Sequence, residues 1–329
     1  MTATNQAAIV ALCAAAFLSF TFFGSPQVGD WMFRVSTLMM LAISWNLMAN
    51  AGLISLGHSA FWGVGSYAAI LSANAWGLPI YLSLIVSMLF GSLLGFFLAV
   101  ATGRLRGIFF AISTLALSEG LRISAFMAPD VTGGAVGLFL NPSLRPSTTT
   151  LYIIGCIGAV AAIVISVILS RSRFHFACRA MRANESAAQM LGIRPYTYRM
   201  GLLAISGAIA SCAGGINAWY GGYLDPEIGF TLHFTILSQI APILGGVHTL
   251  PGPVIGSFAI IALSEASRIF FGQQEGFSQL IYGLVLVVGI LFMPAGIWGA
   301  IRKAWDRWSA RGHSQTGEDS PSPREETKA

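Results

Sequence analysis

Long apolar blocks separated by short polar turns run along almost the whole chain. A helix that crosses a bilayer needs about 20 mostly apolar residues, and ten blocks approach this length. We therefore expect an all-α polytopic membrane protein with eight to ten transmembrane helices. The eighth block is short and flanked by glycines, which favours a broken or re-entrant segment. The candidate spans are residues 7–23, 31–48, 59–76, 79–102, 107–128, 150–170, 200–219, 234–248, 253–271 and 278–294.

One long polar stretch, residues 171–199, interrupts this apolar pattern and contains six arginines. Within it, Gly192 follows the run from Ala183 to Leu191, and glycine is the residue that helices prefer just beyond their C-terminus. The stretch predicts a short amphipathic helix on the cytoplasmic side that contacts another molecule. We expect residues 1–308 to form one transmembrane domain that carries this loop. Residues 309–329 are rich in Ser, Pro and Glu, which predicts a disordered cytoplasmic tail.

Positive charge sets the orientation, because Lys and Arg accumulate in cytoplasmic loops. With the polar loop inside, Arg106 and the basic run after residue 301 also fall inside, whereas Asp130 and Asp225 fall outside. Ten spans then leave both termini in the cytoplasm. No Lys or Arg precedes Arg34, so we interpret the first block as a retained helix rather than a signal peptide.

The composition excludes several classes of protein. The chain is 55% hydrophobic and 9% charged, against about 25% charged residues in soluble domains. Neither Lys303 nor Lys328 lies in a phosphate-binding G-x-x-x-x-G-K-[ST] loop, so any ATP coupling must come from a separate subunit. The basic residues lie between apolar blocks, which argues against nucleic acid. No catalytic nucleophile arrangement, metal-ligand set or C-x-x-C pair is present, so we expect no enzyme, cofactor or metal site.

Polar and glycine residues at membrane depth follow the second candidate span. Residues 52–67 contain four glycines and several hydroxyl side chains. Two interpretations stay open: a broken helix that lines a solute path, or a close-packed helix crossing in which glycines let backbones approach. The residues expected on the path side are Asn46, Asn50, Ser55, His58 and Ser59.

Two ionisable pairs lie inside candidate spans. Glu119 and Arg122 are three residues apart and share a helix face, and Glu265 and Arg268 repeat the pattern. Such residues suggest a functional role on the path, or else a salt bridge that fixes helix orientation. The two pairs lie in segments that match at six of eight positions, which suggests an internal duplication.

Small residues also mark packing and turns. Ser87, Gly91 and Gly95 are spaced by four residues in the fourth candidate span, which predicts a helix-packing seam. The clusters around Gly133 and Gly221 predict outer turns, with contact to an external binding protein as a second interpretation.

Several motifs, taken in order, resemble the membrane permease family of the branched-chain amino-acid ABC importers. The resemblance covers about residues 35–300. The motifs are Asn46-Leu47, GLISLGHSAF at 52–61, LRG at 105–107, TGGxxGL at 132–138, RAMRANExAAxxLGI at 179–193, LGG at 244–246, GPxxG at 252–256 and YGL at 282–284.

In that family the cytoplasmic loop helix docks in a groove of the ATPase. The resemblance therefore implies an ATPase-coupling helix in this loop, and an acidic residue directly precedes its two alanines in the general pattern. Here Ser186 takes that position, which leaves the role of the preceding acid open. The residues carried over are Arg182, Glu185, Ala187, Ala188 and Gly192.

The resemblance further implies a permease subunit in the bacterial inner membrane. Its partners would be a second homologous permease, two subunits that bind ATP and Mg²⁺, and a periplasmic substrate-binding protein. The solute would be a branched-chain amino acid or a related small polar molecule such as urea or an amide. The alternative is an ion-coupled secondary transporter, with Glu119 and Glu265 as ion sites. The arginine near each acid, and a cytoplasmic helix that would then have no purpose, argue against that alternative.

Overall fold

The computed structural model describes residues 26–103, 105–271, 280, 283–284, 287, 291 and 296–303. Within them the fold is helical, apart from a two-stranded antiparallel pairing of β1 (Leu138–Phe139) with β2 (Tyr223–Leu224). The candidate span 7–23, most of 278–294 and the tail 309–329 lie outside the described residues. The helices are α1 (Pro26–Asn50), α2 (His58–Trp76), α3 (Ile80–Thr102), α4 (Ile108–Phe126), α5 (Pro129–Thr132), α6 (Thr148–Arg171), α7 (Arg173–Ala183), α8 (Glu185–Met190), α9 (Pro195–Gly221), α10 (Pro226–Gly229), α11 (Leu232–Gly245) and α12 (Gly252–Phe271).

The predicted class, an all-α polytopic membrane protein, is confirmed. Six segments of the described chain are long and apolar enough to cross a bilayer. Apolar side chains such as Leu89, Phe97 and Ile168 are exposed on α3 and α6, as expected of surfaces that face lipid. The six segments are Gln27–Asn50, Ile80–Thr102, Ile108–Phe126, Thr148–Arg171, Pro195–Gly221 and Pro226–Gly245.

The predicted broken segments are present at two places. Between α1 and α2 the backbone leaves the helix at residues 51–57, where Gly52 adopts a positive φ of 76°. The span Pro226–Gly245 is interrupted after Gly229, and α11 begins at Leu232. Because α11 has 14 residues, it extends about 21 Å and is too short to cross the apolar layer alone.

Helix α9 packs closely against α2 and α3 through small residues. A Cβ atom at Gly91 would clash with the Gly207 carbonyl oxygen, and one at Gly65 would clash with the Ser211 carbonyl oxygen. The Ser87 hydroxyl donates to the same Ser211 carbonyl at 2.7 Å. The predicted seam on α3 is therefore confirmed, and Gly65 within α2 also serves close packing.

Helix α1 runs through the middle of this assembly. Its side chains are buried along most of its length, including Phe33, Met39 and Met48. It contacts α6 and α9 on one side and α11 and α12 on the other. Its position leaves one cavity near its Asn50 end and another nearer its Pro26 end.

Candidate coupling surface and polar interior

The polar loop folds into two helices rather than one. Asn184 separates α7 from α8, and its side-chain oxygen accepts a hydrogen bond from the Ala187 amide at 3.1 Å. Asparagine is a preferred N-cap because it satisfies an otherwise unpaired amide at the helix start. The expectation of a single coupling helix is corrected: Arg182 lies at the end of α7, and Glu185 begins α8.

Helix α8 ends at the predicted glycine. Gly192 has a φ of 82°, and its amide donates to the Gln189 carbonyl at 2.9 Å. The Ile193 amide donates to the Ala188 carbonyl at 3.1 Å. These two bonds form a Schellman motif, which needs a left-handed residue where glycine stands.

Glu185 is held inside the protein. Its carboxylate accepts from the Arg199 guanidinium at 2.9 Å and lies 3.1 Å from the Arg106 Nε atom. Only 14% of the Glu185 side chain and 9% of the Arg199 side chain are exposed. The sequence left the role of this acid open, and the structure directs its carboxylate to two arginines of the same chain. Glu185 anchors α8 to α9 and to the turn before α4.

The surface of α8 combines the polar side chains of Ser186 and Gln189 with large apolar side chains at its C-terminal end. Met190 and Leu191 are 89% and 81% exposed. Ala187 is also exposed, whereas Ala188 is buried against the rest of the protein. Exposed apolar residues that cluster in this way commonly mark an interaction site.

The arginines beside α8 are free to meet a partner. In the described part of the chain, neither Arg179 nor Arg182 takes part in a salt bridge. Desolvation, followed by repulsion from Arg179, lowers the pKa of Arg182. Desolvation and both arginines likewise lower the pKa of His175 on the same helix.

We call the exposed part of α7 and α8 the coupling surface; its members are Phe176, Arg179, Arg182, Ala187, Met190 and Leu191.

Two of the predicted path residues line a cavity of about 440 Å³ next to α7. The Asn46 amide donates to the Thr249 carbonyl at 3.0 Å, and its oxygen accepts from the His248 amide at 2.9 Å. Among the described residues, the buried Asn50 side-chain oxygen has no hydrogen-bond partner. Desolvation and the nearby Arg182 lower the pKa of His248, which also lines this cavity, to about 4.

Three other predicted path residues are packed in the interior near the helix break. The Ser59 hydroxyl lies 2.7 Å from the Ser118 hydroxyl and accepts from the Thr235 hydroxyl at 2.9 Å. This network ties α2 to α4 and α11. Ser55 and His58 are fully buried, and within the part of the chain that the structure describes neither ring nitrogen of His58 has a hydrogen-bond partner. The sequence did not predict Ser118 and Thr235 as partners of Ser59, because no local spacing connects them. A place on the solute path stays a prediction for all three.

Both ionisable pairs form salt bridges. The Arg122 Nε donates to Glu119 at 3.0 Å, and a terminal nitrogen of Arg122 donates to Glu227 at 2.6 Å. Arg122 therefore joins α4 to α10. The Arg268 guanidinium lies 2.7 Å from the Glu265 carboxylate. Of the two interpretations, the salt bridge that fixes helix orientation describes these contacts.

The family model and the relatives found by sequence agree on one family. A model of the family described as branched-chain amino acid transport system / permease component matches residues 27–290. The chain is 26% identical to the high-affinity branched-chain amino acid transport system permease protein LivM of Escherichia coli, with 81% of this chain and 71% of LivM covered. It is 25% identical to LivH of Salmonella typhimurium, with 80% and 92% covered. Among solved structures, PsaBC from Streptococcus pneumoniae in complex with Fab matches with a TM-score of 0.46 and 14% identity, covering 84% of this chain and 94% of that chain.

Proposed function

Because this chain belongs to the family of permease components of branched-chain amino acid transport systems, we propose that it is the membrane permease subunit of an ATP-driven importer. Its cargo is a branched-chain amino acid, the solute that the names of LivM and LivH give for those relatives. The observation that carries the coupling to ATP is the exposed apolar end of α8 on a helix anchored by buried charges.

The coupling surface suits helix-in-groove recognition, in which an amphipathic helix lays its apolar face in a groove of the partner. Burial of one large apolar side chain contributes about 1.5–3 kcal/mol. Met190 and Leu191 together could therefore contribute about 3–6 kcal/mol to docking. Because Glu185 fixes α8 to α9, a force on that docked surface reaches the membrane helices.

The partners are those that the resemblance to this importer family implies. The two lysines lie outside any phosphate-binding loop, so ATP coupling would come from separate subunits. By the resemblance, two such subunits would bind ATP and Mg²⁺ on the cytoplasmic side. Similarity to both LivM and LivH supports a second, homologous permease as the membrane partner. A periplasmic binding protein would deliver the amino acid to the outer side, and both termini of this inner-membrane subunit would lie in the cytoplasm.

The docking role is tested with two matched glycines. Gly192 and Gly77 both follow helix C-termini, have positive φ and open space around them. Only Gly192 lies on the loop assigned to the cytoplasm. We expect Gly192→Pro to abolish co-purification of the ATPase subunits and ATP-stimulated leucine uptake by vesicles, and Arg182→Glu to do the same.

The control Gly77→Pro should retain the ATPase subunits, since proline also forces a change from a positive φ there without touching the coupling surface. Normal coupling in Gly192→Pro and Arg182→Glu would refute the docking role. Uptake driven by an ion gradient in vesicles that hold this chain without ATPase subunits would instead support the secondary transporter.

A further inference from the structure

A second cavity of about 320 Å³ lies among α1, α2, α9, α11 and α12. In the proposed orientation it lies nearer the outer ends of α1 and α9 than the first cavity does, and we call it the outer cavity. None of the residues predicted from the sequence to form the solute path lines it. Its volume is at the small end of the range for ligand pockets, about 300–1,000 Å³, where a single amino acid fits.

The lining of the outer cavity changes from polar to apolar with depth. Helix α1 runs inward and contributes Arg34 first and Leu41 two turns later. Helix α11 also runs inward and contributes His233 before Leu237. Since these helices give the same order, the cavity has a polar mouth toward the outer side and an apolar floor toward the membrane centre.

Helix α12 repeats this order, since it runs outward and Ile260 lines the cavity before Ser264 does. Helix α9 contributes one lining residue, Asn217, from its last turns at its outer end. Three helices of different direction therefore agree on one gradient, and the residue from α9 is polar at the polar end. A chance void between packed helices would not require this agreement.

The floor is aromatic and aliphatic. The rings of Trp62 and Phe234 stack with their centroids 4.0 Å apart and form one wall. Leu41 and Ile260, both almost fully buried, are further lining residues. A branched aliphatic side chain would replace water here with apolar contacts.

The mouth offers groups of the kinds that an amino acid needs for its charged ends. The Arg34 Nε pairs with Asp30 at 2.9 Å, and within the described ranges its terminal nitrogens form no hydrogen bond. They can therefore donate to a carboxylate, a contact that arginine makes well. The side chains of Asn217 and Ser264 likewise have no hydrogen-bond partner among the described residues. Their oxygens can accept from an ammonium group.

We propose that the outer cavity binds the cargo as a zwitterionic aliphatic α-amino acid, with its side chain on the Trp62–Phe234 floor and its charged groups at Arg34, Asn217 and Ser264. This inference rests on the proposed function, because it names where that cargo is selected within the permease. Selection then has a second stage after the binding protein, since the floor limits the size of the side chain.

The test measures uptake by vesicles that contain the complete complex, its binding protein and internal ATP. Ile260→Ala enlarges the floor, and we expect the ratio of phenylalanine to leucine uptake to rise about tenfold, as pocket changes of a few methylenes produce. The matched control is Leu263→Ala on the same helix, which removes a similar side chain that packs against other helices and does not line the cavity. Its ratio should equal that of the wild type.

A second measurement removes the binding protein from the comparison. Equilibrium binding of labelled leucine to the purified complex should weaken about tenfold in Asn217→Ala, because one hydrogen bond to a charged group is lost. A wild-type uptake ratio in Ile260→Ala together with wild-type leucine binding in Asn217→Ala would overturn the cavity proposal. A wild-type complex without ATP-dependent leucine uptake would refute the proposed function instead. In that case the cavity proposal fails only if labelled leucine does not bind.

Discussion

Replacing Glu185 by glutamine should loosen α8 without removing its apolar surface. The Glu185–Arg199 pair is nearly buried, with 14% and 9% of the two side chains exposed. Breaking a buried pair costs about 3–5 kcal/mol when one partner is left uncompensated. Glutamine can still accept a hydrogen bond, and Arg199 keeps its bonds to the Gly103 and Leu105 carbonyls. We therefore expect a net cost of about 2 kcal/mol, an opening constant about 30-fold larger.

Hydrogen–deuterium exchange of the purified complex checks this value. The amides of Ala188, Gly192 and Ile193 close α8 through hydrogen bonds, so their exchange should accelerate about 30-fold if they exchange through local opening. Arg106→Gln is the control. Its side chain is 58% exposed, and exposed pairs contribute about 0–1 kcal/mol, so exchange should rise at most about fivefold.

The anchor role of Glu185 would be refuted by wild-type exchange in Glu185→Gln. If ATPase binding were lost while exchange stayed at the wild-type rate, the carboxylate would be a direct contact to the partner. The size of the change in exchange rate also shows which arginine, Arg106 or Arg199, holds α8 through Glu185. Equal effects of Arg106→Gln and Glu185→Gln would mean that the exposed pair, rather than the buried one, holds α8.

Three further substitutions test the packing and the polar interior. Gly91→Leu should abolish the monodisperse peak in size-exclusion chromatography because it opens the α3–α9 seam, whereas Gly120→Leu, with open space around it, should keep the peak. Asn46→Ala should lower the melting temperature, since two hydrogen bonds to the 248–249 backbone are lost at about 1 kcal/mol each. An unchanged melting temperature would contradict a stabilising role for these two hydrogen bonds. Glu119→Ala should reduce the yield of folded protein more than it alters substrate choice, and a specificity change at full yield would place this residue on the solute path.

Helix positions could be predicted where the apolar pattern coincides with the helix. The block 79–102 differs by one residue from α3 because the chain remains apolar up to the turn. In contrast, α9 begins at Pro195, five residues before the predicted span. Residues 195–199 are more polar and continue the helix outside the apolar layer, where hydropathy gives no signal.

The partners of the site residues could not be predicted because they depend on which helix faces meet. The glycine after α8 carries a local signal, and its prediction is confirmed. The bonds from Asn46 to the 248–249 backbone and from Glu185 to Arg199 join distant parts of the sequence without any periodic pattern. The outer cavity was missed for the same reason, since its lining residues come from five helices and only the packing of those helices brings them together.

Helix α9 links the loop that contains α8 to the mouth of the outer cavity. It has 27 residues and is therefore about 40 Å long. Its inner end is held by Glu185 through Arg199, and at its outer end the Tyr220 hydroxyl donates to Asp30 at 2.5 Å. Asp30 in turn holds Arg34 at the mouth of the outer cavity. Because a helix resists axial compression, a displacement of α8 caused by nucleotide binding to the partner subunits would move Arg34. Arg34 is the cation proposed to bind the carboxylate of the amino acid.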